Sequence, residues 1–498
     1  MSTTLAEPAT ETLTLGDLLH SIAERSPAKA AVILGGRTIT YQELDGTATQ
    51  LARQFLLDGC NPGDRIAIHW SNSIEVVTLF FACFKAGLVA VPVNVRMKTP
   101  EIAYVLAHSK AVMCFSQPEL ADLAKEASVC PVHTLVEIGA PENTLQQIDE
   151  DQPALILYTS GTTARPKGVT HTHRSLLDTA RLMVSVAPHS FDSVLVLTQM
   201  MHASGINCDL VPAILCEGTA VLVPAFDAAL ALDLIERHKC SYTMGLPSLV
   251  QFMLEEQTRK PRNVSSLKTF IAGGDAVPVS MQERFQALFG IPLREGYGMT
   301  ESLPSILNPA EGIRPGTLGK PVHRAEVRIV GENGNDLGDG QVGEIAVKSP
   351  ANCVGYWDDP VATNETLREG WLYTGDLGRR DKDGYYWFEG RKKEIIIRGG
   401  SNISPQEVEE GIVSHPAVLE AAVIGMPDGA YGEKVIAFVA LRSGFSADEN
   451  ELREYARIRL ADYKVPSRIL FLDELPKGIT GKLQRRVLKG MVEGTSRF

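Results

Sequence analysis

From Leu157 to His171 the chain reads LYTSGTTARPKGVTH, which crowds small hydroxyl and glycine residues ahead of a lysine. It follows the apolar PALILY, a run that reads as a buried strand. Gly161 lets the backbone come close to a ligand, and the hydroxyls of Thr159, Ser160, Thr162 and Thr163, with free N–H groups, can wrap an anion. Lys167 at the far end can then meet a phosphate as a point charge. The bland alternative is a polar surface loop. A Walker A loop is excluded, because it needs Gly-Lys-Ser/Thr and here Pro166 precedes Lys167 while Gly168 follows it. The later GITGKLQ fails the same template, since Leu483 follows Lys482. The residues point to phosphate binding outside the P-loop class.

An alternation of strands and helices must position such a loop. Leu44, Ala48, Leu51 and Phe55 are spaced as one helix face, stopped by Gly59 and the turn NPGD. RIAIHW predicts a strand, followed by a helix over Ser73–Lys85 and the strand VAVPVNV. The alternation continues to about residue 300, which argues for α/β layers. Beyond Pro304, Asn333–Gly334 and Asp383–Gly384 signal hairpins and a small β subdomain. A boundary near GRKKEIIIRGG divides an N-terminal domain, 1–391, from a C-terminal domain, 392–498. In the second, Ser404, Pro405 and Glu407 read as N-cap, N1 proline and capping-box acid. EAAVIGM, KVIAFVAL and RILFL then read as strands, with a helix over Asp448–Leu460, giving a compact α+β domain. Residues 1–12 read as disordered.

The 498 residues are enough for roughly two or three domains, and 44% hydrophobic with 22% charged content is ordinary for a globular protein. The net charge of −12 excludes bulk nucleic-acid binding and leaves an anionic substrate to local cations. Eight cysteines without a CxxC pair fit reduced thiols in a cytoplasmic protein better than a disulfide framework or a zinc site. Cys208 and Cys216 lie in an apolar stretch and read as core. The N-terminus has no basic segment leading into an apolar one, so no signal peptide is expected. The longest apolar run is broken by Lys85, Gly87 and Pro92, so no membrane span is expected.

Five strings, YTSGTTARPKG, GYGMTES, GWLYTGDLG, GRKKEIIIRGG and GITGK, stand in an order and spacing that resembles the acyl-adenylate-forming superfamily of acyl-CoA synthetases, peptide-synthetase adenylation domains and firefly luciferase. The resemblance runs from YQELDGTATQLARQFL to PKGITGKLQRR. It implies an α/β fold: a large N-terminal domain of two α/β subdomains plus a β subdomain, with a small mobile α+β C-terminal lid. It also implies ATP, Mg²⁺ and coenzyme A. A carboxylate attacks the α-phosphate to leave an acyl-adenylate, and a thiol then displaces AMP. Such transfer depends mainly on positioning and charge neutralisation.

Carried over residue by residue, the resemblance makes Thr159 to Thr163 and Lys167 the loop on the β- and γ-phosphates. Tyr297 becomes the stacking face for adenine, Thr300 a phosphate contact and Glu301 the Mg²⁺ ligand. Glu295 stands where the family commonly has glutamine, beside Gly296 and Gly298 at the nucleotide. Gly274, Asp275 and Ala276 match the adenine-edge segment. Asp376 would accept from both ribose hydroxyls, and Arg391 would reach ribose or phosphate. Lys393 matches the hinge, and Gly399 and Gly400 the thiol channel. Lys482 matches the catalytic lysine that bridges carboxylate and α-phosphate in one lid orientation. His202 matches the gate between acyl pocket and thiol channel. Outside the family context, Glu301, Asp376, Lys393 and Lys482 would read as a cap, a turn and solvated charges, and His202 as a satisfied core histidine.

Acyl-pocket candidates by resemblance are His202, Gly205, Asn207, Met244, Leu246, Gly296, Ser302 and Pro304. They include no cation to pair a second carboxylate, which favours an apolar monocarboxylic acid, aryl or medium-chain aliphatic. Peptide-synthetase adenylation domains place an aspartate where QMMHASGINCD has His202, and only 16 residues follow Lys482, so an amino-acid module with a carrier domain is not expected. The expectation is an acid:CoA ligase acting as a homodimer, and the alternative is an adenylating enzyme that loads a carrier protein.

Overall fold

The computed structural model describes residues 14–134, 144–159, 166–275, 277–392, 394–398, 401–429, 431–478 and 483–495. The segment read as disordered, 1–12, lies outside them.

Continuous apolar runs such as PALILY are buried on both faces because they form strands of covered, largely parallel sheets. A seven-stranded sheet holds Val89–Pro92, Arg65–His69 and Ala111–Ser116 in parallel. Pro153–Thr159 joins it, and Lys167–Thr172 returns antiparallel, pairing Thr159 with Lys167 across the loop. A nine-stranded sheet aligns Ser193–Val196, Tyr242–Gly245, Thr269–Gly273 and Leu293–Met299 in parallel, with Ser302–Leu307 folding back antiparallel.

One apolar core takes side chains from both sheets and from the helices Leu15–Arg25, Tyr41–Leu57, Ile74–Ala86 and His173–Val186. These helices therefore lie between the sheets. Leu44, Ala48, Leu51 and Phe55 face this core as their spacing predicts, and Thr40 caps their helix. Ser73 caps the next helix, and Gly87 ends it at φ +69°.

After residue 325 a five-stranded sheet contains Glu326–Val330, Gly343–Lys348, Trp371–Arg380, Leu367–Arg368 and Tyr386–Arg391. The Asp383–Gly384 turn joins two of these strands as predicted. The Asn333–Gly334 turn is more local: it brings Asp336 against Val330, and the main ladder partner begins only at Gly343. The next strand, Ile396–Arg398, belongs to a different five-stranded sheet with Ser401–Ile403, Gly432–Leu441, Val418–Asp428 and Arg468–Phe471.

Two local expectations are corrected. Ser404 caps the helix Pro405–Val413, but Glu407 does not reach back to close a capping box; its carboxylate pairs with Lys464 Nζ at 2.5 Å. Cys216 is exposed, because the helix Val211–Leu215 ends there and the chain turns through Glu217 at φ +54°. Cys208 is buried as read. Among the described residues no helix is long and apolar enough to cross a membrane.

Candidate active site

The carboxyl ends of parallel strands are where open α/β sheets expose backbone to ligands. Here those ends carry Gly245, Gly273 and Met299, so Gly274, Asp275, Thr300 and Glu301 follow directly. Gly274 turns the chain at φ +85°, a conformation costly for any side chain. Gly296 is fixed by packing, since a Cβ there would sit 2.8 Å from Leu307 Cδ1.

Tyr297, Asp376 and Arg391 come together although the three are far apart in sequence. The Tyr297 hydroxyl donates to Asp376 Oδ2 at 2.8 Å, and Arg391 Nε lies 3.3 Å from Oδ1. Antiparallel pairing sets Asp376 opposite Arg391. Burial, then the Asp376 charge, hold the Tyr297 phenol well above its usual range, so it stays un-ionised. Gly375 N–H donates to Glu344 Oε1 at 2.9 Å, and Lys392 Nζ lies 3.5 Å from Glu344 Oε2. Glu344 thus ties the Asp376 turn to the last strand before Ile396. Only 6% of Asp376 is exposed, so its oxygens are presented locally and not to bulk water.

Thr300 and Glu301 are held from two other directions. His171 Nε2–H donates to the Thr300 carbonyl at 2.8 Å while its Nδ1 faces Ser175 Oγ at 3.2 Å. Burial pushes the His171 imidazole down to about 4, which keeps it neutral. Glu301 Oε1 accepts from the Tyr356 hydroxyl at 2.7 Å, and the Glu301 carbonyl accepts from Cys353 N–H at 2.7 Å. Lys167 Nζ lies 4.8 Å from the Tyr356 ring centroid. Tyr356, His171 and Glu344 were not singled out in the sequence. Their strand positions carry no local chemical signature; the pairing of Gly355–Tyr356 with Lys167–Thr172 and the Cys353 N–H bond to the Glu301 carbonyl bring Tyr356 to Glu301.

Glu295 turns away toward the helix Val279–Phe289. Its carboxyl meets the Val277 N–H and lies 3.2 Å from Gln282 Nε2, and burial pushes it up to about 8. Gly298 is on the same strand as Tyr297.

An apolar cleft is lined by Met183, Met244, Ile271, Gly296, Tyr297, Leu303, Pro304 and Leu307. Met244, Gly296 and Pro304 were acyl-pocket candidates. Gly205, Asn207, Leu246 and Ser302 do not line this cleft: Leu246 begins the helix Pro247–Arg259, and Ser302 is buried with its Oγ 3.2 Å from Ser305 Oγ. Gly205 and Asn207 lie in the π-helix Ser204–Leu210, which half-buried His202 precedes. Ser160, Gly161, Thr162, Thr163, Ala276, Lys393, Gly399, Gly400 and Lys482 lie outside the described residues. On either side of the last, Lys477 pairs with Leu483, and Arg485 Nη2 lies 2.7 Å from Glu409 Oε1. Among the described residues no group of three or more His, Cys, Asp or Glu could hold a metal.

Residues 19–357 match the model of the AMP-binding enzyme family, and 407–482 match that of the AMP-binding enzyme C-terminal domain. A feruloyl-CoA synthase of Amycolatopsis sp is 36% identical over 485 residues, covering 94% of this chain and 96% of that protein. The structure of the anthranilate CoA ligase AuaEII in complex with anthranoyl-AMP aligns at TM-score 0.92 and 27% identity, covering 98% of each chain. ATP-bound MatB from Rhodopseudomonas palustris aligns at TM-score 0.89 and 29% identity, covering 97% of this chain and 99% of that one.

Proposed function

This chain belongs to the AMP-binding enzyme family, and from that premise we propose that it is an ATP-dependent carboxylic acid:CoA ligase whose substrate is an apolar monocarboxylic acid. The observation that carries the reading is the double role of Tyr297. Its ring lines the apolar cleft and its hydroxyl binds Asp376, so an acid in the cleft and a nucleotide at Asp376 share one side chain.

In the first step a carboxylate oxygen of the acid forms a bond to the α-phosphorus of ATP, and the bond to pyrophosphate breaks. In the second the CoA sulfur bonds the acyl carbon and AMP leaves with the electron pair. Asp376, held by Tyr297 and Arg391, is the carboxylate that accepts from the ribose hydroxyls. Thr300 presents its hydroxyl to phosphate oxygen, with its backbone fixed by His171. Lys167 and the Thr159–Thr163 segment meet the terminal phosphates. Glu301 suits Mg²⁺: it is a buried hard-oxygen donor, and its neighbour Tyr356 stays neutral. When bound there, Mg²⁺ would neutralise charge on the phosphates. Lys482 bridges carboxylate and α-phosphate, and His202 gates the way from the acyl pocket to the thiol.

Tyr356→Phe tests the Glu301 arrangement. It keeps the ring beneath Lys167 and removes the donor, a charge-assisted hydrogen bond worth about 1.5 kcal/mol. The Mg²⁺ concentration giving half-maximal pyrophosphate release should rise about tenfold with little change in melting temperature. An unaltered Mg²⁺ curve would contradict the role.

The domain division at 391/392 is proposed as the place about which the lid turns, supported by the change of sheet between Tyr386–Arg391 and Ile396–Arg398. Fixing φ at Lys393 with Lys393→Pro should slow acyl transfer from supplied acyl-AMP about tenfold or more and spare adenylation. An unchanged second step refutes a hinge at that residue. The cytoplasm is proposed as the compartment on the grounds of eight free cysteines. A homodimer is proposed on the exposed Phe252 ring beside Phe226, and light scattering decides it. Acyl-CoA formed from free CoA supports the ligase; turnover only with an added carrier protein favours the alternative acceptor.

A further inference from the structure

The seven-stranded and nine-stranded sheets meet at the carboxyl ends of three strands, and one side chain ties the three together. Arg65–His69 belongs to the first sheet, and the chain leaving it passes through Asn72 before the helix Ile74–Ala86. Ser193–Val196 and Thr219–Leu222 are neighbouring parallel strands of the second. Asn72 is only 2% exposed. Its Nδ2 donates to the Thr198 carbonyl at 3.0 Å and to the Val223 carbonyl at 3.1 Å, just past the ends of those two strands. Its Oδ1 accepts from Met200 N–H at 2.8 Å. Two carbonyls on one side and an N–H on the other fix which way the amide points, and both of its N–H groups and its oxygen are used.

These bonds fall on the turn that carries His202. Gln199 reciprocates: its Oε1 accepts from Asn72 N–H at 3.2 Å, and its Nε2 donates to the Pro224 carbonyl at 2.8 Å. The Gln199 carbonyl accepts from His202 N–H at 3.0 Å, and the His202 carbonyl accepts from Gly205 N–H at 3.1 Å, where the π-helix Ser204–Leu210 begins. Ser204 Oγ donates to Thr198 Oγ1 at 3.0 Å. Gly205 packs so closely that a Cβ there would lie 2.7 and 2.8 Å from the carbonyl oxygens of Gln199 and Thr198. The turn is thus closed on itself and held from outside by Asn72. The Asn72 loop is fastened in its own sheet: Ser71 N–H donates to Gln117 Oε1 at 2.9 Å, and Gln117 N–H donates to the His69 carbonyl at 3.1 Å.

A buried amide with all its hydrogen bonds made can serve packing alone, and its loss would then slow every step as the fold loosens. Where the bonds end argues for more, because Thr198, Gln199 and Met200 lead directly into His202. Resting on the gate assigned to His202 in the ligase reading above, we propose that Asn72 is the positioning residue for that gate, setting the His202 turn against the subdomain that does not carry it. Asn72 acts through the turn and on no reacting atom, and the resemblance gave it no role. A gate works by where it stands, so a shift of about 1 Å in the turn is enough to misplace it. Asn72→Asp should produce such a shift. It keeps the volume and the oxygen that accepts from Met200 N–H, and it sets a second oxygen against two carbonyls.

The test measures the two half-reactions of full-length Asn72→Asp apart, with the acid that the wild-type enzyme turns over fastest, cinnamate and octanoate being the first two tried. Pyrophosphate release without CoA reads the first step, and acyl-CoA formation from supplied acyl-AMP reads the second. The second should slow about 30-fold while the first stays within about threefold. In a His202→Ala background the same substitution should change the second step by less than about twofold, because a residue that acts only through another has no effect once that other is gone. Equal loss of both half-reactions, or a defect that persists undiminished without the His202 imidazole, overturns the proposal and leaves Asn72 a packing residue. Should Asn72→Asp fail to fold, Gln199→Ala at a half-buried position carries the same comparison, with the second step alone slowed about fivefold. Equal slowing of both steps there overturns the proposal too. A His202→Ala enzyme with a wild-type second step removes the gate and the proposal with it, whereas an enzyme silent toward every acid counts against the ligase reading itself, so the failures are distinguishable.

Discussion

Lys482→Ala is expected to lower adenylate formation by about 1000-fold, within the range seen when a transition-state cation is removed from phosphoryl transfer. The reason is electrostatic. As the carboxylate oxygen bonds the α-phosphorus, negative charge concentrates where two anions meet, and no other residue proposed for the site brings a cation to both. Lys167 is proposed for the terminal phosphates, and Arg391 pairs with Asp376. Thioester formation from supplied acyl-AMP needs no such bridge, so the variant should retain that half-reaction to within a few fold. Equal loss of both half-reactions would remove Lys482 from the first step and make its role structural. Ion pairs of Arg485 with Glu409 and Glu394 anchor the helix Arg485–Thr495 just beyond it, so a truncated lysine should leave the lid domain folded.

Glu301→Gln is expected to cost about 100-fold in adenylation. The amide keeps an oxygen that can accept from Tyr356 and the same volume, while losing the negative charge that attracts a hard cation. The defect should therefore shrink as Mg²⁺ is raised, and pyrophosphate release measured from about 1 to 100 mM Mg²⁺ reads it. A 100-fold defect that stays constant across that range would show that the carboxylate serves some purpose other than the metal. Together with Tyr356→Phe, the series separates the ligand from the residue that orients it, because only Glu301→Gln removes charge.

Much of the architecture was legible because the local signals agreed with tertiary burial. The spacing of Leu44, Ala48, Leu51 and Phe55 required one buried helix face, and Ser404 marked a helix start through its capping chemistry. Failures came where a side chain had a second option. Glu407 had a lysine, Lys464, within reach, and an ion pair displaced the capping box. Cys216 lay in an apolar string, but a left-handed turn at Glu217 put it outside. The site divided in the same way. Motifs could name Tyr297, Glu301 and Asp376, because each sits in a short string with distinctive composition. They could not name Tyr356, His171 or Glu344, which act through strand pairing with residues far along the chain.

Whether this chain joins a carboxylic acid to CoA through an acyl-adenylate is decided by following AMP and pyrophosphate release from Mg-ATP across a panel of aryl and aliphatic acids, with and without CoA. Sustained release of both products that depends on one class of acid and on CoA, with acyl-CoA accumulating in equal amount, is the result predicted. Release of ADP and phosphate, or acid-dependent turnover to a product other than acyl-CoA, would contradict it.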